Sequence, residues 1–310
     1  MWRPAVPSVK IGDMKTIHAD QIRDSVRDLC MRAARELPGD VAVALIEARK
    51  AEDNPLAAEI LGAILENARI SSSEKIPICQ DTGLTYVFLE IGQEVHVIGG
   101  DLRQAVAEGV ARGYTQGYLR KSVVSDPLWD RRNTGDNTPP AIHVEVVPGR
   151  DISITVLPKG AGSENMSAVS MLTPAAGVAG VRSFVLDTVR KGGANACPPL
   201  VVGVGVGGMM DTAAYLAKKA LLRPVGISNP DQRTAALEES LLGEINSLGI
   251  GPGGLGGRTT ALAVHVETSP THMGALPVAV NLQCHAARRA TAVLRGEEKA
   301  GDVNGEVERS

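Results

Sequence analysis

Aromatic side chains are scarce: two Phe, two Trp and four Tyr make up 3% of 310 residues. A core must then be built from Ala, Val, Leu and Ile, and little is left for stacking nucleobases. Charge of one sign is lacking too. A formal net charge of −3 with six neutral His offers no field to hold a phosphate backbone, so no nucleic-acid partner is expected. No run approaches the roughly 18 to 20 apolar residues of a membrane-spanning helix, so no membrane partner is expected either. The stretch Met1 to Lys10 has two basic residues and two prolines but no apolar core of an export signal, which gives the expectation of a cytoplasmic protein. Cysteines number only four. In a reducing compartment they read as thiols, metal ligands or nucleophiles instead of a disulfide framework.

Apolar residues reach 44% and charged residues 22%, a globular balance in a chain long enough for a full core. Gly is abundant, at 34 residues, so backbones approach closely or turn tightly at many points. Ile22, Val26, Leu29, Ala33 and Leu37 recur at helical spacing before Pro38-Gly39, predicting an amphipathic helix from His18 to Leu37. Cys30 shares that stripe and reads as a small buried hydrophobe. Further helices are predicted at Val41 to Ala51, from Pro55 behind an Asn54 cap to about Ala68, and from Asp101 to Tyr114. Three more are predicted at Val178 to Lys191, Thr212 to Leu222 and Gln232 to Leu248. Strands are expected at Leu84 to Ile91, Leu200 to Val206, Ala261 to Val266 and Leu276 to Val280. Ile142 to Val147 and Ile152 to Leu157 flank Pro148-Gly149 in the manner of a hairpin. Hairpins mixed with helical crossovers predict an α+β fold of mixed sheets covered by helices. The expected organisation is one large domain over 18–294, with an amino-terminal extension 1–17 and a polar tail 295–310.

Gly203-Val-Gly205-Val-Gly207-Gly208 satisfies the dinucleotide-binding glycine pattern after a strand and before a helix. Its late position, the preceding Cys197-Pro198-Pro199 and the turn setting of Asp231 argue against nicotinamide binding, which stays as an alternative. Cys79, Cys197 and Cys284 each lie next to Pro or at a strand edge, too far apart for a zinc or ferredoxin-type motif. Only the fold could bring them together.

The motifs Ile76-Pro-Ile-Cys-Gln-Asp-Thr-Gly83, Leu119-Arg-Lys-Ser122, Asn133-Thr-Gly-Asp-Asn-Thr-Pro139 and Lys159-Gly-Ala-Gly-Ser-Glu-Asn165 follow one another along the chain. Cys197-Pro-Pro199 with its glycine run, Gly251-Pro-Gly-Gly-Leu-Gly-Gly257 and Thr271-His-Met-Gly274 complete the series. In these residues the sequence resembles the iron-sulfur hydro-lyases, the class I fumarases and L-tartrate dehydratases, in their cluster-bearing alpha subunit.

The resemblance implies a 4Fe-4S cluster held by Cys79, Cys197 and Cys284, in a cluster-binding domain. Three thiolates for four irons leave one open iron, a Lewis acid for a substrate hydroxyl. It also implies an acid-base role for Asp81, whose residue type alone reads equally well as the start of an Asp-Thr-Gly turn. Gln80, Arg120, the backbone at Gly160 and Gly162, and His272 would contact the substrate. Ala161 departs from the glycine usual there. The implied reaction is hydration of fumarate to L-malate, with L-tartrate to oxaloacetate as the alternative, on a small dicarboxylate substrate. One-chain relatives carry a second domain with further Arg, Lys and Thr groups, so a separate, smaller beta subunit is the expected partner.

Overall fold

A computed structural model describes Met14 to Glu298. The helices are α1 (Ala19–Arg35), α2 (Gly39–Ala51), α3 (Pro55–Glu74), α4 (Leu102–Gln116), α5 (Ala161–Glu164), α6 (Gly177–Gly192), α7 (Met210–Ala220) and α8 (Gln232–Asn246). The strands are β1 (Lys15–His18), β2 (Leu84–Gly92), β3 (Val95–Ile98), β4 (Ala141–Val147), β5 (Asp151–Lys159) and β6 (Ala168–Leu172). They continue with β7 (Leu200–Gly208), β8 (Ala261–Thr271), β9 (Leu276–Gln283), β10 (Ala290–Arg295) and β11 (Glu297–Glu298). This is the expected α+β class. Of the expected extension 1–17, positions 1–13 lie outside the described residues, and Lys15 to Ile17 belong to β1. Of the expected tail, residues 299–310 lie outside them, while Arg295, Glu297 and Glu298 are strand. The chain forms two compact units, one from residues 14–31, 85–156 and 290–298, the other from Arg32–Leu84 and Leu157–Arg289.

The first unit holds two sheets, in the orders β11-β1-β3 and β10-β5-β2-β4. The expected hairpin between β4 and β5 does not form, because β2 lies between them. β4 instead pairs parallel with β2, Phe88 facing His143, and those two rings stack with centroids 5.0 Å apart. A cross-strand aromatic pair of this kind outweighs the local turn. Ile22 and Val26 of α1 are fully buried. At Gly109 and Gly113 of α4 a side chain would strike Arg23 O and the Cβ of Cys30, at 2.5 and 2.8 Å. Small residues one turn apart thus let the two helices close on each other, and Cys30 is the buried packing residue expected.

The second unit is built on a sheet of order β6-β9-β7-β8. β7 runs parallel to β8 and antiparallel to β9. One face is branched and apolar: Val202, Val204, Val264, Val266, Val278 and Val280 meet Val181, Val185 and Val189 of α6 and Leu241 and Ile245 of α8. Each such buried side chain contributes about 1.5–3 kcal/mol. The other face is small, with Gly203, Gly205 and Ala279 opposite Ala213 and Ala217 of α7. A Cβ at Gly205 would sit 2.1 Å from Ala213 O, and one at Gly203 2.2 Å from Ala217 O. That contact explains the glycine string, for Gly203 and Gly205 lie inside the strand, packed against a helix, and not in a phosphate-binding turn. The nicotinamide alternative loses its basis there.

The free edge of β8 is capped by side chains. Glu238 accepts from Val266 N (2.7 Å), while Arg223 and Asn229 donate to Val266 O at 2.9 and 2.8 Å. The buried Glu238 also pairs with Arg223.

Gly205→Ala should lower stability by roughly 1–3 kcal/mol or more, as overpacking does. Gly243→Ala, on the exposed face of α8 with nothing within 4 Å of the new Cβ, should raise it by about 0.5–1 kcal/mol. Denaturant unfolding of the two variants measures both, and a tolerated Gly205→Ala would mean that α7 is not seated on the sheet.

Candidate active site

Strand direction gathers the cysteines. Cys197 precedes β7 and Cys284 follows β9, and because these strands are antiparallel with Val201 opposite Gln283, both thiols lie at the same end of the sheet. Cys197 adopts a left-handed backbone (φ 56), rare for a residue with a side chain and concentrated at functional sites. Its carbonyl accepts from His285 N and faces His285 Nδ1, each at 3.1 Å. The glycine-rich loop at 251–257 braces the same segment, with Gly253 N donating to Pro198 O at 2.9 Å. Cys79 arrives from the loop after α3, whose end is a left-handed Lys75. That loop is pinned by Ile78 N to Ala34 O (2.9 Å) and by Asn67 Nδ2 to Ile78 O (2.8 Å).

Burial raises the Cys197 and Cys284 thiols above their ordinary range, and the charge of Cys79 raises each further. Arg288 and Lys159 oppose this at Cys284. Cys79 is therefore within electrostatic reach of both other cysteines. Among the described residues no set of His, Cys, Asp or Glu cages a single metal ion. Thiolates bound to different irons of one cluster stand at separate corners of a larger body, so three half-buried or exposed thiols, with Cys79 in reach of the other two, fit that group.

Asp81 performs its turn role and reaches further. Oδ1 accepts from Gly83 N (3.0 Å) and Oδ2 from Ala161 N (2.8 Å), at the start of α5. The Ala161 N–H is thus engaged by Asp81, not left for a substrate carboxylate. A Cβ at Gly160 would lie 3.1 Å from Asp81 Oδ2, whereas Gly162 has open space around it. Gln80 is exposed beside Cys79, whose thiol donates to Gln80 Oε1 at 3.2 Å.

Beneath these residues lies a buried charge cluster that the sequence did not reveal. Lys159 is 2% exposed and Lys218 6%. Lys159 Nζ donates to Ser163 Oγ (2.8 Å) and pairs with Glu164 (3.1 Å), and Lys218 pairs with the same carboxylate. Asn281 Nδ2 donates to it as well, at 3.0 Å. Burial works to raise Glu164, but the charges of Lys218 and Lys159 outweigh it and hold the carboxyl low. Burial pushes Lys218 down to about 8, against the pull of Glu164. Lys159 and Glu164 stood inside a recognised motif without a role. Lys218 read as an ordinary basic residue near a helix end.

Arg120 and His272 are carried by other elements than those that hold the cysteines. Arg120 belongs to the first unit, in an exposed loop where Ser122 N donates to Asn137 Oδ1 (2.7 Å) and Asn133 Nδ2 to Lys121 O (2.9 Å). His272 lies at the opposite end of the second unit's sheet, because β8 runs parallel to β7 and Gly208 faces Thr271. The length of β7 separates it from the cysteines, roughly 25 Å at the usual rise of an extended strand. It lines an apolar cavity of about 440 Å³ with Val178, Val206, Met273 and Leu276. The expected substrate contact of His272 at the cysteines is therefore not made within this chain.

The family described as fumarate hydratase (Fumerase) matches residues 23–293. The chain belongs to this family. It is accordingly a hydro-lyase, a class its relatives share. A Methanocaldococcus jannaschii protein named "Putative L(+)-tartrate dehydratase subunit alpha" is 43% identical over 284 residues, covering 90% of this chain and 99% of the relative. An Escherichia coli O157:H7 protein named "L(+)-tartrate dehydratase subunit alpha" is 32% identical over 282 residues, covering 90% and 92%. No helix among the described residues is long and apolar enough to cross a membrane.

Lys218 gives a pH test. A lysine whose folded pKa lies near 8, below its ordinary 10.5, binds fewer protons folded than unfolded between those values. Its burial cost is complete below about pH 8 and is relieved as pH rises toward 10.5. Unfolding free energies of the reduced, cluster-free protein should therefore rise relative to those of Lys218→Met from pH 8 to pH 10. A constant difference would place the ammonium group in water.

Proposed function

We propose that this chain is the alpha subunit of an iron-sulfur hydro-lyase that dehydrates L-tartrate to oxaloacetate. The observation that carries the reading is the convergence of Cys79, Cys197 and Cys284 at one end of a sheet, beside Asp81. The names of the relatives favour tartrate over the fumarate expected from the motifs. Cys79, Cys197 and Cys284 would hold a 4Fe-4S cluster, which when bound supplies a Lewis acid at the substrate hydroxyl through an iron without a protein ligand.

Eliminating water from a 2-hydroxy dicarboxylate needs a base for a carbon-bound proton and an acid for the departing hydroxide. Asp81 serves as one of these. Its carboxylate is fixed at both oxygens by backbone N–H groups of Gly83 and Ala161, which hold it in one orientation for proton transfer. Gln80, the backbone at Gly160 and Gly162, and Arg120 bind the substrate, the arginine fork suiting a carboxylate. A dianion entering an enclosed site needs cations at both ends. A separate, smaller beta subunit supplies the remainder, as the subunit names of the relatives suggest.

After anaerobic purification or reconstitution the chain should hold about four iron and four sulfide. With a beta-type partner it should convert L-tartrate faster than it hydrates fumarate. Negligible iron uptake overturns the cluster, and fumarate turnover exceeding that of tartrate returns the substrate to the fumarase side.

Asp81→Asn should keep its iron and lose roughly two to four orders of magnitude in kcat, the scale of an acid-base group. Single-turnover and steady-state assays on the loaded enzyme measure this, and a near-normal kcat would leave Asp81 with its turn alone.

A further inference from the structure

α5 is a single helical turn, Ala161–Glu164, and a helix so short is not stable by its own hydrogen bonds. Yet this turn orients Asp81, whose Oδ2 accepts from Ala161 N at 2.8 Å. The Asp81 turn also rests on the approach to α5, for a side chain at Gly83 (φ 78) would lie 2.7 Å from the carbonyl carbon of Lys159. Whatever holds α5 in place therefore holds the Asp81 carboxylate. Three other elements reach α5 through Glu164. Lys159 at the end of β5 pairs with its carboxylate at 3.1 Å, Lys218 of α7 pairs with it too, and Asn281 of β9 donates to it at 3.0 Å. Two lesser contacts follow the same course: Lys159 Nζ donates to Ser163 Oγ (2.8 Å) and Leu282 N to Ser167 Oγ (3.0 Å). Both lysines are buried, so a neutral group in place of Glu164 would leave two cations without their shared anion at the end of α5. Asn281 stands three positions before Cys284. The brace thus relates the α5 turn to the strand that delivers a cysteine.

Resting on the acid-base reading of Asp81 above, the geometry points to Glu164 as a positioning residue for that carboxylate: held by Lys159, Lys218 and Asn281, it sets the place of the α5 turn and through Ala161 N the orientation of Asp81. Glu164 itself handles no proton of the reaction. A residue that acted on stability alone would change the folded fraction and leave the kcat of each loaded site as it is.

The test is a double-mutant cycle on the anaerobically reconstituted chain with its beta-type partner, with turnover of L-tartrate and of fumarate expressed per loaded cluster. Glu164→Gln keeps the shape and removes the charge. It should lower kcat about ten- to a hundred-fold, the scale of a small misplacement of a reacting group. KM and iron content should stay within about two-fold of the wild type's, as expected when an interaction made in the transition state is lost. Glu164→Asp, which keeps the charge one methylene short, should retain more of the rate. In an Asp81→Asn background Glu164→Gln should cost less than about two-fold, because the group it positions is already gone. An equal loss in both backgrounds overturns the proposal, and so does a kcat per cluster that Glu164→Gln leaves unchanged. Where Glu164→Gln does not fold, Glu164→Asp runs the same cycle, and there an equal loss in both backgrounds, or none in either, is the overturning result. A near-normal kcat of Asp81→Asn alone overturns the acid-base reading itself, whereas a slow Asp81→Asn with an additive Glu164→Gln overturns only the role of Glu164.

Discussion

The close seating of α7 on the small-residue face of β7 and β9 governs the second unit. With Gly203, Gly205 and Ala279 beneath Ala213 and Ala217, helix and sheet backbones approach to a distance that no larger side chain permits. The opposite face can then carry an unbroken layer of valines under α6 and α8. Since β7 and β9 are held side by side in opposite directions, the residue before one and the residue after the other become neighbours. Two cysteines separated by most of a hundred positions in the chain meet for that reason.

Charge is handled with equal economy. Glu164 serves two buried ammonium groups and an amide at once, so its removal would leave two cations without their shared anion, the costliest kind of vacancy in a protein interior. Asp81 is likewise doubly engaged, holding its own turn and the start of α5. The polar floor of the site is thus part of the packing that supports it.

Much of the local structure was legible in the residues. Asn54 and Asp101 cap α3 and α4 as predicted, accepting from the N–H groups of Leu56 and Gln104, and the stripe of α1 is buried. Local signals failed where pairing is a choice among distant strands. The turn Pro148-Gly149 looked like a hairpin, but stacking of Phe88 on His143 brings β2 in as the neighbour of β4. Strands of four or five residues, β1, β3 and β6, carry too little pattern to be read. The glycines of β7 matched a motif whose chemistry is different, because a pattern of small residues does not say whether a phosphate or a helix fills the space. At the site, the set of cysteines came from the family resemblance, not from spacing. Lys218 had no signal, since its meaning lies in burial beside groups far away in the chain.

The capped edge of β8 has a consequence for how this protein fails. Glu238, Arg223 and Asn229 occupy the backbone groups of Val266, so the outer margin of the sheet is closed to a further strand there. All three caps come from α8 or the segment leading into it. If that helix detached, through damage or incomplete folding, a valine-rich strand with open N–H and C=O groups would be uncovered together with the apolar layer it shares with α6. Such a strand is a template for other chains. In this protein, loss of α8 is therefore a route to aggregation as well as a loss of stability, and the buried Glu238 acts as a gatekeeper from within the fold.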